Sequence, residues 1–130
     1  MNHKYLEVCA GCGGLSQGFK NAGLSAVVLV EIDKIAAKTL KTNFPDYTII
    51  NNDMRKVDFS VYRNNAELTV GGIPCQSFSI AGNREGLDNS NKGGLFYDFK
   101  RCVTEVDLLM FMIENVEGLK SINNGDTFTL

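Results

Sequence analysis

The sequence predicts an α/β fold built on a doubly wound, mostly parallel sheet. Three observations support this: strand-like and helix-like segments alternate along the chain, residues 26–30 form a continuous apolar run, and a glycine-rich turn links the first strand to the first helix. Parallel strands of this kind are joined by right-handed crossovers. Ligands bind beside the carboxyl ends of such strands, so the functional site is expected there.

Five short segments are predicted strands because they are largely apolar and bounded by turn residues. They cover residues 4–9, 26–30, 47–50, 67–70 and 108–113. The second and the fifth contain no polar residue, which is typical of parallel strands covered on both faces. We therefore expect the fifth strand to need apolar cover on each side.

Helical segments are predicted between these strands. The first covers residues 15–22 and is stopped by Gly23. The second begins after Asp33, whose side chain can cap it, and ends near Pro45. A third lies between the last two strands, where apolar residues recur at helical spacing. Those residues are Phe96, Phe99, Val103 and Val106.

The composition restricts the classes of protein to which this chain can belong. The 130 residues carry 13 basic and 15 acidic side chains, which is ordinary for one soluble domain. This balance gives no overall attraction to a phosphate backbone, so contact with nucleic acid must be local or come from another polypeptide. The N-terminus lacks a secretory signal, and the longest apolar run is far shorter than the roughly 20 residues of a membrane span. We expect a cytoplasmic protein with no membrane partner.

The cysteines favour neither a disulfide framework nor a metal site. Cys9, Cys12, Cys75 and Cys102 are irregularly spaced, and the cytosol keeps thiols reduced. The first two form a C-x-x-C pair, but a structural zinc site needs four ligands and the sequence has no second pair or nearby histidine. We expect no bound metal.

Glycines and two acidic residues predict an adenosine site. Gly11, Gly13 and Gly14 follow the first strand, where glycine lets the backbone approach a ligand, although the third glycine of a pyrophosphate cradle is missing. Glu31 ends the second strand, where an acidic side chain can accept both ribose hydroxyls. Asp53 follows the third strand and is either an adenine acceptor or an ordinary turn residue. Together they describe an adenosine site without a pyrophosphate site.

A cysteine directly after the fourth strand is a candidate nucleophile. Cys75 follows Pro74 and lies near the start of a segment without clear periodicity that extends from Gly71 to Gly94. The alternative is a small buried cysteine, but the end of a strand beside a long loop is a poor site for core packing. The only histidine is His3, so a cysteine–histidine pair is not expected and the thiol needs another kind of electrophile.

Glu114 follows the fifth strand directly. A carboxylate at the end of an apolar strand is expected to be partly desolvated, which suits it to donating or sharing a proton. The alternative is a group that caps a helix or a turn. Because the ends of the fourth and fifth strands can be neighbours, Cys75 and Glu114 are able to face one substrate. Such a pair suits nucleophilic addition to a ring.

Three segments resemble motifs of the DNA (cytosine-5)-methyltransferases. Residues 7–16 (EVCAGCGGLS) resemble the first cofactor motif, residues 72–79 (GIPCQSFS) the nucleophile motif, and residues 114–116 (ENV) the acid motif. The resemblance extends over nearly all of the chain. It implies a Rossmann-like, S-adenosylmethionine-dependent methyltransferase fold that is incomplete at its C-terminus. Residues 1–130 would form the N-terminal part of the catalytic domain.

The resemblance also implies a mechanism. Cys75 adds to C6 of a flipped-out cytosine while Glu114, with Asn115 beside it, hydrogen-bonds the N3 side of the ring, and C5 receives the methyl group of S-adenosylmethionine. The implied cofactor-binding residues are Cys9, Gly11, Gly13, Gly14, Glu31, Ile32, Asp53, Met54, Pro74 and Leu95. The implied substrate-binding residues are Gln76, Ser77, Ser79, Arg84 and Lys92.

The chain departs from the family pattern at three places. Cys9 stands where the family usually has phenylalanine, which removes an aromatic contact to the cofactor. Lys92 stands near the position of a family arginine, which keeps the charge without the bidentate fork. The family's later arginine motif and target recognition domain are absent. The expected partners are double-stranded DNA, a C-terminal half or subunit carrying the recognition domain, and a second copy of the chain.

Two alternatives stay open at this point. One is a cytosine-5 methyltransferase acting on RNA, and the other is a non-catalytic partner subunit that binds S-adenosylmethionine. The presence of Cys75, Gln76 and Glu114 together favours an enzyme, because a binding module needs none of them.

Overall fold

The computed structural model describes residues 3–73, 94–108 and 110–115. Within these residues, five strands form one sheet and three α-helices pack on it. The strands are β1 (Lys4–Val8), β2 (Ser25–Glu31), β3 (Ile49–Asn51), β4 (Leu68–Gly72) and β5 (Met110–Glu114). The helices are α1 (Gly14–Asn21), α2 (Lys34–Asn43) and α3 (Gly94–Val106). Two short 3₁₀ turns, Met54–Lys56 and Ser60–Tyr62, lie between β3 and β4.

The strands are all parallel and lie in the order β3-β2-β1-β4-β5. The chain therefore winds outward from β1 to β3 and then returns to the other side of β1. This reversal between β1 and β4 opens a crevice at the carboxyl ends of the strands, which is where ligands bind in such sheets. The topology confirms the predicted doubly wound α/β fold.

Each face of the sheet has its own core. On one face α1 and α2 cover side chains such as Tyr5 and Leu29, and on the other α3 and the 3₁₀ turns cover Leu6 and Val28. Neighbouring residues of β1 and β2 thus point to opposite faces, as the pleat requires. Because both faces of these central strands are covered, their residues are apolar with few exceptions.

Local signals placed the helix starts correctly. Asp33 caps α2, since its carboxylate accepts hydrogen bonds from the backbone N–H groups of Ile35 at 2.9 Å and Ala36 at 2.8 Å. Gly13 is the cap residue of α1 and has φ of 92°. A Cβ there would lie 2.5 Å from a ring carbon of Phe44, so this turn requires glycine for its backbone and for its packing.

Several strand ends differ from the prediction for identifiable reasons. β1 ends one residue early because Cys9 has φ of 53°. β5 begins at Met110, two residues after its predicted start. Tyr47 stacks on Phe44 instead of joining β3, with the rings 5.5 Å apart. β4 extends to Gly72 and α3 begins at Gly94, so the ends of the segment predicted to lack periodicity belong to regular elements.

Among the described residues, β5 pairs only with β4 and forms an edge of the sheet. Met110 is 55% exposed and Phe111 is 62% exposed. The described part of the chain therefore leaves much of the apolar surface of this strand open. No helix in the described ranges is long and apolar enough to cross a membrane.

Candidate active site

A cavity of about 210 Å³ lies at the carboxyl ends of the first four strands, beside the reversal between β1 and β4. Its lining residues are Cys9, Val30, Glu31, Ile32, Asn52, Asp53, Met54, Arg55, Gly72 and Leu95. We call it the crevice cavity. It brings together the larger part of the predicted cofactor residues, namely Cys9, Glu31, Ile32, Asp53, Met54 and Leu95.

Glu31 is the buried carboxylate of this cavity. It is 7% exposed, so it is not the solvent-exposed group that a strand end often carries. One carboxylate oxygen accepts from the N–H of Gly11 at 2.7 Å, and the other accepts from the N–H of Asp33 at 2.7 Å. Each oxygen has two lone pairs, so both keep capacity for a further donor such as a ribose hydroxyl.

Asp53 is held by its neighbour Arg55. Its carboxylate accepts from the backbone N–H of Arg55 at 3.0 Å and from the guanidinium, whose nearest contact is 2.6 Å. The hydrogen bonds and charge of Arg55 lower the pKa of Asp53, which keeps the carboxylate ionised. Asp53 therefore caps the 3₁₀ turn that it precedes, as the turn alternative predicts, and also lines the cavity.

Cys9 forms part of the cavity wall. Its thiol lies 3.7 Å from the sulfur of Met54. Burial, with added repulsion from the carboxylates of Glu31 and Asp53, raises the pKa of Cys9 to about 11. The thiol is therefore protonated at neutral pH. Since the nucleophilic form of cysteine is the thiolate, Cys9 is not a nucleophile here and contributes a small apolar surface to the cavity.

The predicted glycines orient and pack neighbouring residues and do not line the cavity themselves. Gly11, Gly13 and Gly14 are not among the residues that line the cavity. Gly11 contributes its N–H to Glu31, and Gly13 permits the close packing of the turn against α2. Their role in binding a cofactor directly stays a prediction.

The ends of β4 and β5 lie side by side, as predicted for the nucleophile and acid motifs. Gly72 pairs with Glu114 in the sheet register and also lines the crevice cavity. A Cβ on Gly72 would lie 3.8 Å from a carboxylate oxygen of Glu114. The side-chain amide of Asn115 donates to the carbonyl oxygen of Ile73 at 3.4 Å, which links the acid motif to the start of the nucleophile motif.

One prediction about Glu114 is wrong for this chain. Its position after an apolar strand predicts partial desolvation, but Glu114 is exposed. The reason is topological, because β5 is an edge strand among the described residues and pairs with a neighbour, β4, on one side only. The apolar character of a strand does not reveal whether both of its neighbours are present.

The remaining predicted site residues lie outside the described residues. They are Pro74, Cys75, Gln76, Ser77, Ser79, Arg84 and Lys92. Four lining residues were not predicted: Val30, Asn52, Arg55 and Gly72. Asn52 directly precedes Asp53, and Arg55 follows it by two positions. These polar residues come directly after β3, and that position is the signal that could have identified Asn52 and Arg55.

A larger cavity of about 410 Å³ lies between α3 and β5. It is lined mainly by apolar and aromatic side chains, including Phe96, Phe99 and Phe111, and by no carboxylate. The crevice cavity is the better candidate site despite its smaller volume, because it contains two carboxylates at the reversal of strand order. No group of three potential metal-binding side chains occurs in the described part of the chain.

Comparison with known proteins identifies the family. The model for C-5 cytosine-specific DNA methylases matches residues 3–130. The chain is 42% identical over 122 residues to Type II methyltransferase M.Eco47II of Escherichia coli, covering 94% of this chain and 29% of that protein. It is 36% identical over 129 residues to Type II methyltransferase M.PspPI of Psychrobacter sp., covering 99% of this chain and 31% of that protein.

A solved structure supports the same assignment. A prophage-encoded Escherichia coli protein described as a DNA modification methyltransferase matches with a TM-score of 0.78 and 26% identity, over 98% of this chain and 36% of that one. The chain thus spans about a third of the length of these relatives. The resemblance seen in the three sequence motifs is confirmed, and the chain belongs to the C-5 cytosine-specific DNA methylase family.

Proposed function

We propose that the enzyme to which this chain belongs transfers a methyl group from S-adenosylmethionine to C5 of cytosine in DNA. The observation that carries this proposal is the position of Gly72. This residue lines the crevice cavity, pairs with Glu114 and begins the segment that leads to Cys75. A cofactor in the cavity and a base held between the ends of β4 and β5 would therefore be adjacent.

The crevice cavity fits the adenosine part of the cofactor. Adenosine offers hydrogen-bond donors, namely two ribose hydroxyls and one adenine amino group, and the cavity offers the acceptors Glu31 and Asp53. We assign Glu31 to the ribose and Asp53 to the amino group. Ile32, Met54 and Leu95 supply apolar contacts to the base, with Cys9 beside them. When bound, S-adenosylmethionine supplies an electrophilic methyl group attached to a positively charged sulfur.

The chain's own residues activate the cytosine. The thiolate of Cys75 adds to C6, and the electron pair of the C5–C6 double bond moves onto C5 and the ring. Glu114 hydrogen-bonds the N3 side of the ring and stabilises the charge that develops there. After methylation, loss of the C5 proton lets the C6–sulfur bond break, which returns the thiolate of Cys75. Asn115 positions this pair by holding the carbonyl of Ile73.

The partners are part of the same proposal. The net charge of −2 gives the chain no general attraction to DNA, so most phosphate contacts would come from elsewhere in the enzyme. We infer that a further segment or a separate subunit carries the target recognition domain, and that the enzyme acts in the cytoplasm. The family description and the Type II relatives support DNA as the substrate, and no observation favours RNA or a non-catalytic role.

The test uses the chain completed with the C-terminal part of a Type II relative. The preparation is incubated with S-adenosylmethionine and a duplex containing 5-fluorocytosine, whose fluorine replaces the C5 proton and cannot be eliminated after methylation, so the cysteine adduct is trapped. We expect a covalent complex with the wild-type chain and none with Cys75→Ser. Cys102→Ala is the matched control, because it removes a free thiol of α3 that lies outside the three motifs and does not line the crevice cavity, and it should trap normally. A complex that persists in Cys75→Ser would contradict the assignment.

A further inference from the structure

The structure assigns a positioning role to Arg101, a residue of α3 that none of the sequence motifs includes. We infer that Arg101 fixes the position of Asp53 and Met54, which line the crevice cavity. It thereby determines how strongly the site prefers adenine to a base that lacks the amino group. This inference rests on the proposed function, because it takes the crevice cavity as the cofactor site.

Beyond its ion pairs with Asp98 and Glu105 of the same helix, Arg101 makes three contacts with the segment between β3 and β4. One terminal nitrogen donates to the carbonyl oxygen of Met54 at 2.8 Å, and the other donates to that of Val57 at 3.2 Å. The guanidinium also lies over the ring of Phe59, 5.4 Å from its centroid. A single side chain thus contacts three successive points of the segment that follows Asp53.

Glu105, one turn further along α3, completes this contact. Its carboxylate accepts from Arg101 at 2.9 Å and also accepts from the backbone N–H of Phe59 at 3.0 Å. Arg101 is therefore held in place by an ion pair within its own helix, and the same pair engages both carbonyl and N–H groups of the segment. Such charge-assisted hydrogen bonds are roughly twice as strong as neutral ones.

The segment needs this support because it has little regular structure of its own. The described residues between β3 and β4 form two 3₁₀ turns and no α-helix. In the first 3₁₀ turn the N–H of Lys56 donates to the carbonyl oxygen of Asp53 at 2.9 Å, whereas the N–H of Val57 donates to that of Met54 over a longer distance of 3.3 Å. The bond from Arg101 to the same carbonyl is shorter, at 2.8 Å, so the external contact is the stronger hold on Met54.

Arg101 is well placed to affect the cavity without touching it. Met54 is buried and lines the cavity, and Asp53 precedes it directly. Leu95, in the first turn of the same helix, lines the cavity as well. Movement of the 3₁₀ turn would shift the carboxylate of Asp53 relative to Glu31, and so would alter the geometry offered to an adenine amino group.

Selectivity for the base separates positioning from simple stabilisation. The readout is the ratio of the dissociation constants of S-inosylhomocysteine and S-adenosylhomocysteine for the 130-residue chain, measured by calorimetry. The inosine compound has a carbonyl oxygen in place of the amino group, so it repels the carboxylate of Asp53. A variant that only lowers the folded fraction weakens both ligands equally and leaves this ratio unchanged.

We expect the wild-type chain to prefer S-adenosylhomocysteine and Arg101→Met to reduce that preference by about tenfold, the effect of misplacing one charge-assisted hydrogen bond. Arg101→Lys should fall between the two, because an ammonium group cannot reach both carbonyls with the geometry of the arginine fork. Val106→Ala is the matched control for stability, since Val106 is fully buried in the same helix and is not a cavity residue. Its ratio should equal that of the wild-type chain.

Three outcomes contradict the inference, each in a different way. If the wild-type chain prefers the adenosine compound and Arg101→Met has the same ratio of dissociation constants, the positioning role is wrong but the proposed cofactor site is supported. The role is also wrong if Val106→Ala changes the ratio as much as Arg101→Met does. If the wild-type chain binds neither compound, the proposed cofactor site is wrong, and the role of Arg101 is wrong as well because it depends on that site.

Discussion

The carboxylate of Glu31 accepts a hydrogen bond from the backbone N–H of Gly11 at 2.7 Å. This bond joins the end of β2 to the turn that follows β1, so the two elements that border the cavity keep a constant separation. A second bond, from the N–H of Asp33, holds the other carboxylate oxygen. Glu31 is therefore oriented before any ligand arrives, which reduces the entropy lost on binding.

The first prediction concerns this carboxylate. Glu31→Ala should weaken the binding of S-adenosylhomocysteine by about 1–3 kcal/mol, because a charged acceptor and its hold on Gly11 are both lost. Isothermal titration calorimetry on the two proteins measures the difference. Glu67→Ala is the control, since Glu67 is an exposed carboxylate that pairs with His3. Equal affinity in Glu31→Ala and the wild-type chain would remove Glu31 from the site.

The second prediction concerns the pair formed by Asp53 and Arg55. Because the guanidinium and the backbone N–H of Arg55 occupy the carboxylate, an adenine amino group must compete with them. Arg55→Met should therefore tighten the binding of S-adenosylhomocysteine by about two- to fivefold, the scale of an exposed ion pair. Lys56→Met removes the same charge from the neighbouring residue and should have no such effect. Weaker binding by Arg55→Met would mean that Arg55 itself contacts the ligand.

The third prediction concerns a buried acid beneath the glycine turn. Glu7 is 1% exposed and accepts a hydrogen bond from the hydroxyl of Ser16. Burial raises the pKa of Glu7 to about 7, although the bond from Ser16 opposes the shift. The folded state therefore binds the proton more tightly than the unfolded state, whose glutamate has a pKa near 4.3. Stability should be highest below the unfolded pKa and should fall between about pH 4.3 and 7.

The measurement for Glu7 is urea unfolding at several pH values. Glu7→Gln removes the titration, so the wild-type chain should lose about 2–3 kcal/mol relative to this variant between pH 4.5 and 8. Parallel profiles for Glu7→Gln and the wild-type chain would show that Glu7 is not neutral in the folded state.

The fourth prediction contrasts two glycines near or within α1. Gly13→Ala should destabilise the fold by about 1–3 kcal/mol, because φ is 92° and the new Cβ would meet the ring of Phe44. Gly18→Ala should leave stability unchanged or raise it by up to about 1 kcal/mol, since this helical position is open and alanine favours helix. Chemical denaturation of the two variants provides the comparison. Similar stabilities would contradict the packing role of Gly13.

The sequence by itself determined the fold class and the main acceptors of the cavity. Alternating segments and the cap at Asp33 are local features, and local periodicity is enough to predict a doubly wound sheet. Once the strands are parallel, their carboxyl ends meet at one edge, so residues that follow different strands must converge. Glu31 and Asp53 were placed together in this way without knowledge of any distance.

Only the tertiary structure decided how these groups are held and which of them are exposed. Arg101 reaches Met54 across 47 positions of sequence, and Asn115 reaches Ile73 across 42. Whether such distant side chains meet depends on helix orientation and strand register, which no local pattern encodes. The same reason explains the exposure of Glu114, because the number of neighbours of β5 is a property of the sheet and not of the strand.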